Sequence, residues 1–205
     1  MNTFHIFAGG EISDLSFVEI ASDDTVICAD RGLVHIQKLG IKPHLIVGDF
    51  DSYTEVLPED IEIHRSLPEK DDTDTMLALK LAIERGAERV IIYGAFGGRL
   101  DHTIANIQTL RYAQENGCEA VLMDSDNIAL LQSVGTRTYP YREGWYFSFF
   151  AYTDKVVVSL SGTKYTLDNA EITSSFPLGV SNEITSDEAV MTVSEGTALI
   201  VISKM

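Results

Sequence analysis

Two short acidic segments and one glycine-rich loop carry the residue types that could manage a divalent metal and phosphate. The first, Val47-Gly48-Asp49-Phe50-Asp51-Ser52, ends an apolar run, which puts its carboxylates where a parallel strand opens into a loop. If the backbone stays extended through Phe50, positions i and i+2 point the same way. Asp49 and Asp51 then converge on one metal ion while Phe50 turns aside. The same composition also suits a turn. The second segment, Lys70-Asp71-Asp72-Thr73-Asp74-Thr75, immediately precedes the clearest amphipathic stretch of the chain, so its carboxylates gather near a helix N-terminus. Asp72 or Thr73 can serve as the N-cap, and each first-turn acid gains about 0.3–1 kcal/mol from the helix dipole. Capping needs only one or two such groups. Asp71, Asp72 and Asp74 crowd together and repel one another unless a cation is present, which favours a metal and phosphate role for Asp74. Lys70 either contacts phosphate or softens that repulsion.

The loop Gly94-Ala95-Phe96-Gly97-Gly98-Arg99-Leu100-Asp101-His102 follows an apolar strand and opens the next helix. Strand, glycine-rich turn, helix is the arrangement that presents backbone N–H groups to phosphate. Its spacing matches neither the Walker A nor the dinucleotide pattern. Arg99 can grip phosphate through two N–H groups at once, with Asp101 and His102 beside it. Asp101 alone also reads as a helix N-cap. His5, His35, His44 and His64 have no ligand spacing and receive no role.

The elements that must hold these groups alternate. Phe4 to Ala8, Val26 to Ala29, Leu45 to Val47, Val90 to Tyr93 and Ala120 to Met123 read as buried parallel strands. Leu33 to Leu39, Asp74 to Arg85 and His102 to Asn116 have helical spacing; in the second, Met76, Leu79 and Ile83 share one face. The pattern predicts an α/β, Rossmann-like layered domain with a mostly parallel sheet over residues 1–124. Beyond it the helical signal stops. Trp145 to Tyr152, Lys155 to Leu160, Lys164 to Leu167, Ala189 to Val193 and Ala198 to Ile202 read as short strands, so residues 125–205 are expected to form an all-β sandwich. Gly135 to Gly144, with Pro140, is a candidate boundary, and Ile128 to Leu131 could join either side.

Composition narrows the function classes. The 205-residue chain can bury a core without staples, and its formal net charge of -16 opposes a nucleic-acid surface. Any bound nucleotide triphosphate would need divalent metal to offset that charge. No apolar run reaches the roughly 18 residues of a membrane span, and Met1 to Gly10 lacks signal-peptide features, so a cytoplasmic location is expected. Cys28 and Cys118 read as structural thiols in a reducing compartment.

Taken together and in order, Cys28-Ala29-Asp30-Arg31-Gly32, Gly48 to Ser52, Lys70 to Asp74 and Gly94 to His102 with Asn106 resemble the signature of the thiamine pyrophosphokinases. Leu178-Gly179-Val180-Ser181-Asn182-Glu183 resembles that family's second-domain Ser-Asn motif. The resemblance implies a homodimer with active sites at the subunit interface. It implies that Asp49, Asp51 and Asp74 hold Mg²⁺. Asp30, Lys70, Asp71, Gly94, Arg99, Asp101, His102 and Asn106 would surround ATP, and Ser181 and Asn182 would contact thiamine. Arg31 stands where many members carry a small residue, which leaves it a phosphate contact or an internal ion pair. Some members stack an aromatic on thiamine; Trp145 is far in sequence from the Ser-Asn motif, and Phe176 is the nearest candidate.

The implied reaction moves the β and γ phosphates of ATP together onto the thiamine hydroxyl, releasing AMP. Arg99 would stabilise developing charge, with Asp71 a candidate proton acceptor. Two other readings compete. Asp-Phe-Asp after a strand also resembles the metal-binding motif of nucleotide-sugar glycosyltransferases, although that leaves Lys70 to Asp74 and the Ser-Asn segment without a purpose. A non-catalytic nucleotide or thiamine sensor is the other, and the intact acidic and glycine motifs argue against it.

Overall fold

Ile6 with Phe7 and Leu45 to Val47 place apolar residues at successive positions, and successive strand residues point to opposite faces, so these strands are stable only with both faces covered. That is how the chain folds. The computed structural model describes residues 1–48, 60–65 and 72–205. It divides into two compact units, Met1–Ser125 and Asp126–Met205.

The first unit contains β1 (Thr3–Phe7), β2 (Thr25–Ala29), a 3₁₀ turn (Asp30–Gly32), α1 (Leu33–Leu39), β3 (Leu45–Gly48), β4 (Glu62–Arg65), α2 (Asp74–Glu84), β5 (Arg89–Tyr93), α3 (Leu100–Glu115) and β6 (Glu119–Met123). Its strands lie in the order β4-β3-β2-β1-β5-β6, every neighbouring pair parallel. Phe7, Cys28, Ile46 and Tyr93 from the sheet form one apolar cluster with Leu33 and Ile36 of α1. α2 packs on β1, β2 and β3, and α3 on β6. The buried stripe of α2 is Thr75, Ala78, Leu79 and Ala82, whereas Met76 and Ile83, expected with Leu79 on the core face, are only partly covered. The small side chains let the helix approach the sheet and leave the larger ones at its margins. β4 had no sequence expectation, since its residues Glu62, His64 and Arg65 are largely exposed edge positions.

The second unit is antiparallel throughout: β7 (Asn127–Gln132), β8 (Gly135–Pro140), β9 (Trp145–Ala151), β10 (Lys155–Ser161), β11 (Leu167–Thr173), β12 (Glu188–Glu195) and β13 (Ala198–Lys204). They pair as β7-β13-β9 and as β11-β10-β12-β8. Every second residue of β10 and β13 is buried, the period expected of strands with one covered face. The two groups of strands meet through Tyr139 and Phe147, whose rings lie 4.9 Å apart. Gln132 joins them, donating to the Met191 carbonyl at 3.0 Å and accepting from the Tyr139 hydroxyl at 2.8 Å.

Two expectations are corrected here. The candidate boundary Gly135 to Gly144 lies inside the second unit, and its first part, Gly135 to Pro140, is edge strand β8, where Pro140 is tolerated because it ends an edge strand. Lys164 to Thr166 are not a strand, and β11 begins at Leu167. The backbone of Lys164 and Tyr165 instead bonds to Glu183 and Asn182, which takes it out of the ladder. No described helix is long and apolar enough to cross a membrane.

Candidate active site

The strand order reverses at β1. The chain moves outward through β2, β3 and β4, then returns to β5 on the other side of β1. In open parallel sheets a crevice forms at such a reversal, beyond the carboxyl ends of the strands. Three turns leave the sheet there, at Gly9-Gly10 after β1, Asp30-Arg31-Gly32 after β2, and Gly94 after β5, and they are packed backbone to backbone. The Gly10 N–H donates to the Gly94 carbonyl at 3.0 Å. A Cβ on Gly94, whose φ is +67°, would sit 2.6 Å from the Ala8 carbonyl oxygen, and one on Gly32 would sit 1.8 Å from that of Phe7. Glycine is required at both places because the chains touch there.

Asp30 stands in this cluster with a φ of +49°, and Ser181 in the second unit has +56°; the third described non-glycine residue in that region is Asn169. Left-handed backbone at non-glycine residues costs energy and gathers at functional positions. Two of the three are candidate site residues.

Arg99 is the N-cap residue of α3 and is exposed, making two contacts with the Asp101 carboxylate at 3.1 and 2.5 Å. Asp101 is therefore not the cap. It lies in the first turn, where it also accepts the His102 N–H at 2.9 Å. The Arg99 guanidinium holds the Asp101 carboxyl below its ordinary pKa. His102 is exposed beside it. Asn106 is different, being buried and donating to the Ala95 carbonyl at 2.8 Å, so it pins the glycine loop to α3.

In the second acidic segment the cap is Thr73, whose hydroxyl accepts the Met76 N–H at 3.1 Å. Asp72 pairs with Lys80 at 2.6 Å, and Lys80 lies over the Tyr112 ring. Asp74 occupies the first turn. Neither capping nor the Lys80 pair thus uses Asp74. Asp49, Asp51, Lys70 and Asp71 lie outside the described residues. Among the described residues no group of three metal-ligating side chains occurs.

In the second unit Ser181 is exposed, its N–H donating to the Ser148 hydroxyl at 3.0 Å. Asn182 is 4% exposed, and its amide is spent on backbone: Oδ1 accepts from the Tyr165 and Glu183 N–H groups at 3.0 and 2.9 Å, and Nδ2 donates to the Tyr165 carbonyl at 2.8 Å. Phe176 is 63% exposed and so does not belong to the core. Trp145, remote in sequence, is brought to the Ser-Asn segment because Phe147, two residues on, bridges Asn182. A cavity of about 470 Å³ is lined by Trp145, Arg142, Glu183, Ile184 and Asp187, with the Arg142 guanidinium 5.5 Å above the Trp145 ring.

The sequence model of the thiamin pyrophosphokinase catalytic domain matches residues 18–122, and that of the family's vitamin B1 binding domain matches residues 135–200. A thiamine pyrophosphokinase of Bacillus subtilis is 32% identical, with 99% of each chain covered. The chain belongs to the thiamin pyrophosphokinase family. A crystal structure of a Bacillus subtilis thiamine pyrophosphokinase superposes with a TM-score of 0.92 at 30% identity, covering 100% of both chains. That from Geobacillus thermodenitrificans does so at 0.86 and 30%, covering 99% of this chain and 98% of the other. The catalytic-domain match takes in Asp30, Asp74, Gly94, Arg99, Asp101, His102 and Asn106; the B1-binding match takes in Trp145, Ser181 and Asn182. Gly9 and Gly10 lie outside both. The sequence reading missed them too, although a Gly-Gly pair directly after an apolar strand was a usable signal.

Proposed function

We propose that this chain transfers the pyrophosphoryl group of ATP to the hydroxyl of thiamine, giving thiamine diphosphate and AMP. The observation that carries the reading is the pair of family matches, catalytic then vitamin B1 binding, each falling within one of the two compact units. The first unit is read as the Rossmann-like ATP- and metal-binding domain, and the second as a β-sandwich that binds thiamine and mediates dimerisation. The exposure of Tyr165, Phe176, Leu178 and Val180 supports self-association as a homodimer. Unpaired Cys28 and Cys118 support a cytoplasmic setting.

Asp49, Asp51 and Asp74 would hold Mg²⁺. An all-carboxylate donor set suits a hard, oxygen-preferring cation, and Asp74 stands in the first turn of α2, at the helix end that follows the acidic segment. When bound, the ion would offset triphosphate charge. The chain's own groups do the rest. Asp30, Lys70 and the turn at Gly94 bind and orient the nucleotide. Arg99 leaves Asp101 for phosphate oxygens, so the charge that grows as AMP departs meets a guanidinium already at the helix end. Asp71 is assigned the thiamine hydroxyl proton, and His102 with Asp101 and Asn106 line the same loop. Ser181 and the Asn182-held segment present thiamine. The reaction forms one O–P bond at the β-phosphorus and breaks the bond to the α-phosphate oxygen.

Incubation of the purified protein with ATP, Mg²⁺ and thiamine tests this directly. Equal amounts of AMP and thiamine diphosphate are expected. ADP with thiamine monophosphate, or ATP consumption that ignores thiamine, would overturn the reading.

A further inference from the structure

We propose that the Gly9-Gly10 turn is part of the wall of the nucleotide site and that His35 is the residue that positions it. The proposal rests on the ATP reading above and adds residues to it.

Gly9 and Gly10 sit between two groups assigned to ATP. A Cβ on Gly9 would lie 3.7 Å from Oδ2 of Asp30 and 3.3 Å from Cβ of Arg31. A Cβ on Gly10 would lie 2.3 Å from the Gly94 carbonyl oxygen and 2.8 Å from that of Phe96. Gly9 itself is exposed. The turn thus offers bare backbone beside an aspartate on one side and the glycine loop leading to Arg99 on the other, which is how a protein lets phosphate or ribose come close.

A turn of two glycines has little stiffness of its own, so its position must be imposed. The Gly10 N–H is held by Gly94, and the Gly10 carbonyl accepts from Nε2 of His35 at 2.7 Å. A carbonyl only accepts, so Nε2 carries the proton. His35 is 6% exposed, and its Nδ1 is buried with no hydrogen-bond partner among the described residues. The hydrogen bond to Gly10 is therefore what the ring's polarity is used for. Burial holds the ring's pKa below its ordinary value, against the opposing pull of that hydrogen bond, so the ring stays neutral and its tautomer fixed. The connection runs His35 to Gly10 to Gly94, from α1 to the loop that carries Arg99. His35 touches no reacting group; it acts through the turn.

Two variants separate positioning from simple packing. His35→Leu removes the donor while keeping bulk, and His35→Gln puts an amide N–H at the same number of bonds from the backbone. KM for ATP, KM for thiamine, kcat, melting temperature and calorimetric affinity for ATP with Mg²⁺ are measured for each. His35→Leu is expected to raise KM and Kd for ATP about 3- to 10-fold, the value of one lost neutral hydrogen bond, with KM for thiamine within about 2-fold. His35→Gln is expected to return both ATP constants to within about 2-fold of the parent at the same melting temperature as the Leu variant. An unchanged ATP constant in His35→Leu, equal rises for both substrates, or no rescue by Gln overturns the proposal. If the parent forms no AMP yet its ATP affinity falls in the Leu variant and recovers in Gln, the reaction reading fails and the positioning role stands. If the parent turns over and the Leu variant binds ATP equally well, only the positioning role fails. If the parent binds no ATP, both fail.

Discussion

The glycine loop at Gly94 to His102 and the Ser-Asn segment at Leu178 to Glu183 are both assigned to ligands, yet the contacts that hold them in place differ. The first is fixed mainly by backbone packing, with one side chain added: Gly94 packs on Ala8 and Gly10, the Asn106 amide ties down Ala95, and Arg99, Asp101 and His102 stand exposed at the start of α3. The second is fixed by a side chain, since the buried amide of Asn182 holds Tyr165 and leaves Ser181 exposed in a left-handed conformation. A motif residue can therefore serve a site by building it. Arg99 is expected to act on the reaction and Asn182 on the shape of the surface that meets the ligand.

The sharpest division of labour is in activity. Arg99→Ala is expected to lower kcat by about 10²- to 10³-fold, the usual cost of removing one donor aimed at developing charge, with the melting temperature unchanged. A variant with full turnover would show that the guanidinium stays on Asp101 throughout. Asn182→Ala should do the reverse. It strands the Tyr165 N–H and carbonyl, so chemical denaturation should show a loss of about 3 kcal/mol in the stability of the second unit. A large rise in KM for thiamine with stability intact would mean that Asn182 is a ligand contact and that the contrast is drawn in the wrong place.

Smaller effects refine the first region. Asn106→Ala leaves the Ala95 carbonyl without its donor and is expected to cost about 1–3 kcal/mol in unfolding free energy, together with a higher KM for ATP as the loop loosens. A change in KM without a change in stability would assign Asn106 to the nucleotide directly. Thr73→Ala removes the α2 cap and should cost about 1 kcal/mol by thermal melting. No loss there would hand the capping role to Asp72 or Asp74 and weaken the case for Asp74 as a metal ligand.

The smallest effect lies in the acid limb. Burial raises the pKa of Asp24, but its hydrogen bonds with His5 at 2.9 Å and from the Ala21 N–H at 2.9 Å outweigh this and bring the net value below the ordinary 3.8. A depressed carboxyl contributes stability above its unfolded pKa and loses it as pH falls through the folded value. Asp24→Asn should therefore flatten the decline in stability below about pH 4, followed by melting at stepped pH. An unchanged decline would assign that limb to other carboxylates.

Much of this was legible in the chain. Apolar runs located β1, β2, β3, β5 and β6, and α1 was expected over the residues it occupies, Leu33 to Leu39, because burial on both faces and helical spacing leave strong local patterns. Weakly patterned edges were not legible: β4 exposes most of its side chains, and β8 read as part of a candidate boundary because its glycine and proline suit a sheet margin rather than a strand interior. In the site, residue types gave the carboxylates, Arg99 and the glycine loop. They could not say that Thr73 rather than Asp72 caps α2, that Asp101 pairs with Arg99, or that Asn182 faces inward.

The sequence by itself determined the alternation of strand and helix, the change to antiparallel β structure, and the kinds of chemistry available, since these follow from local spacing and side-chain type. Only the tertiary structure decided which groups meet. Trp145 reaches the Ser-Asn segment through a bridge between strand β9 and Asn182, and Gly9-Gly10 joins Asp30 and Gly94 because β1 lies between β2 and β5. Contacts of that range depend on strand order and on close approach of backbone, and no pattern within a short window of residues records either.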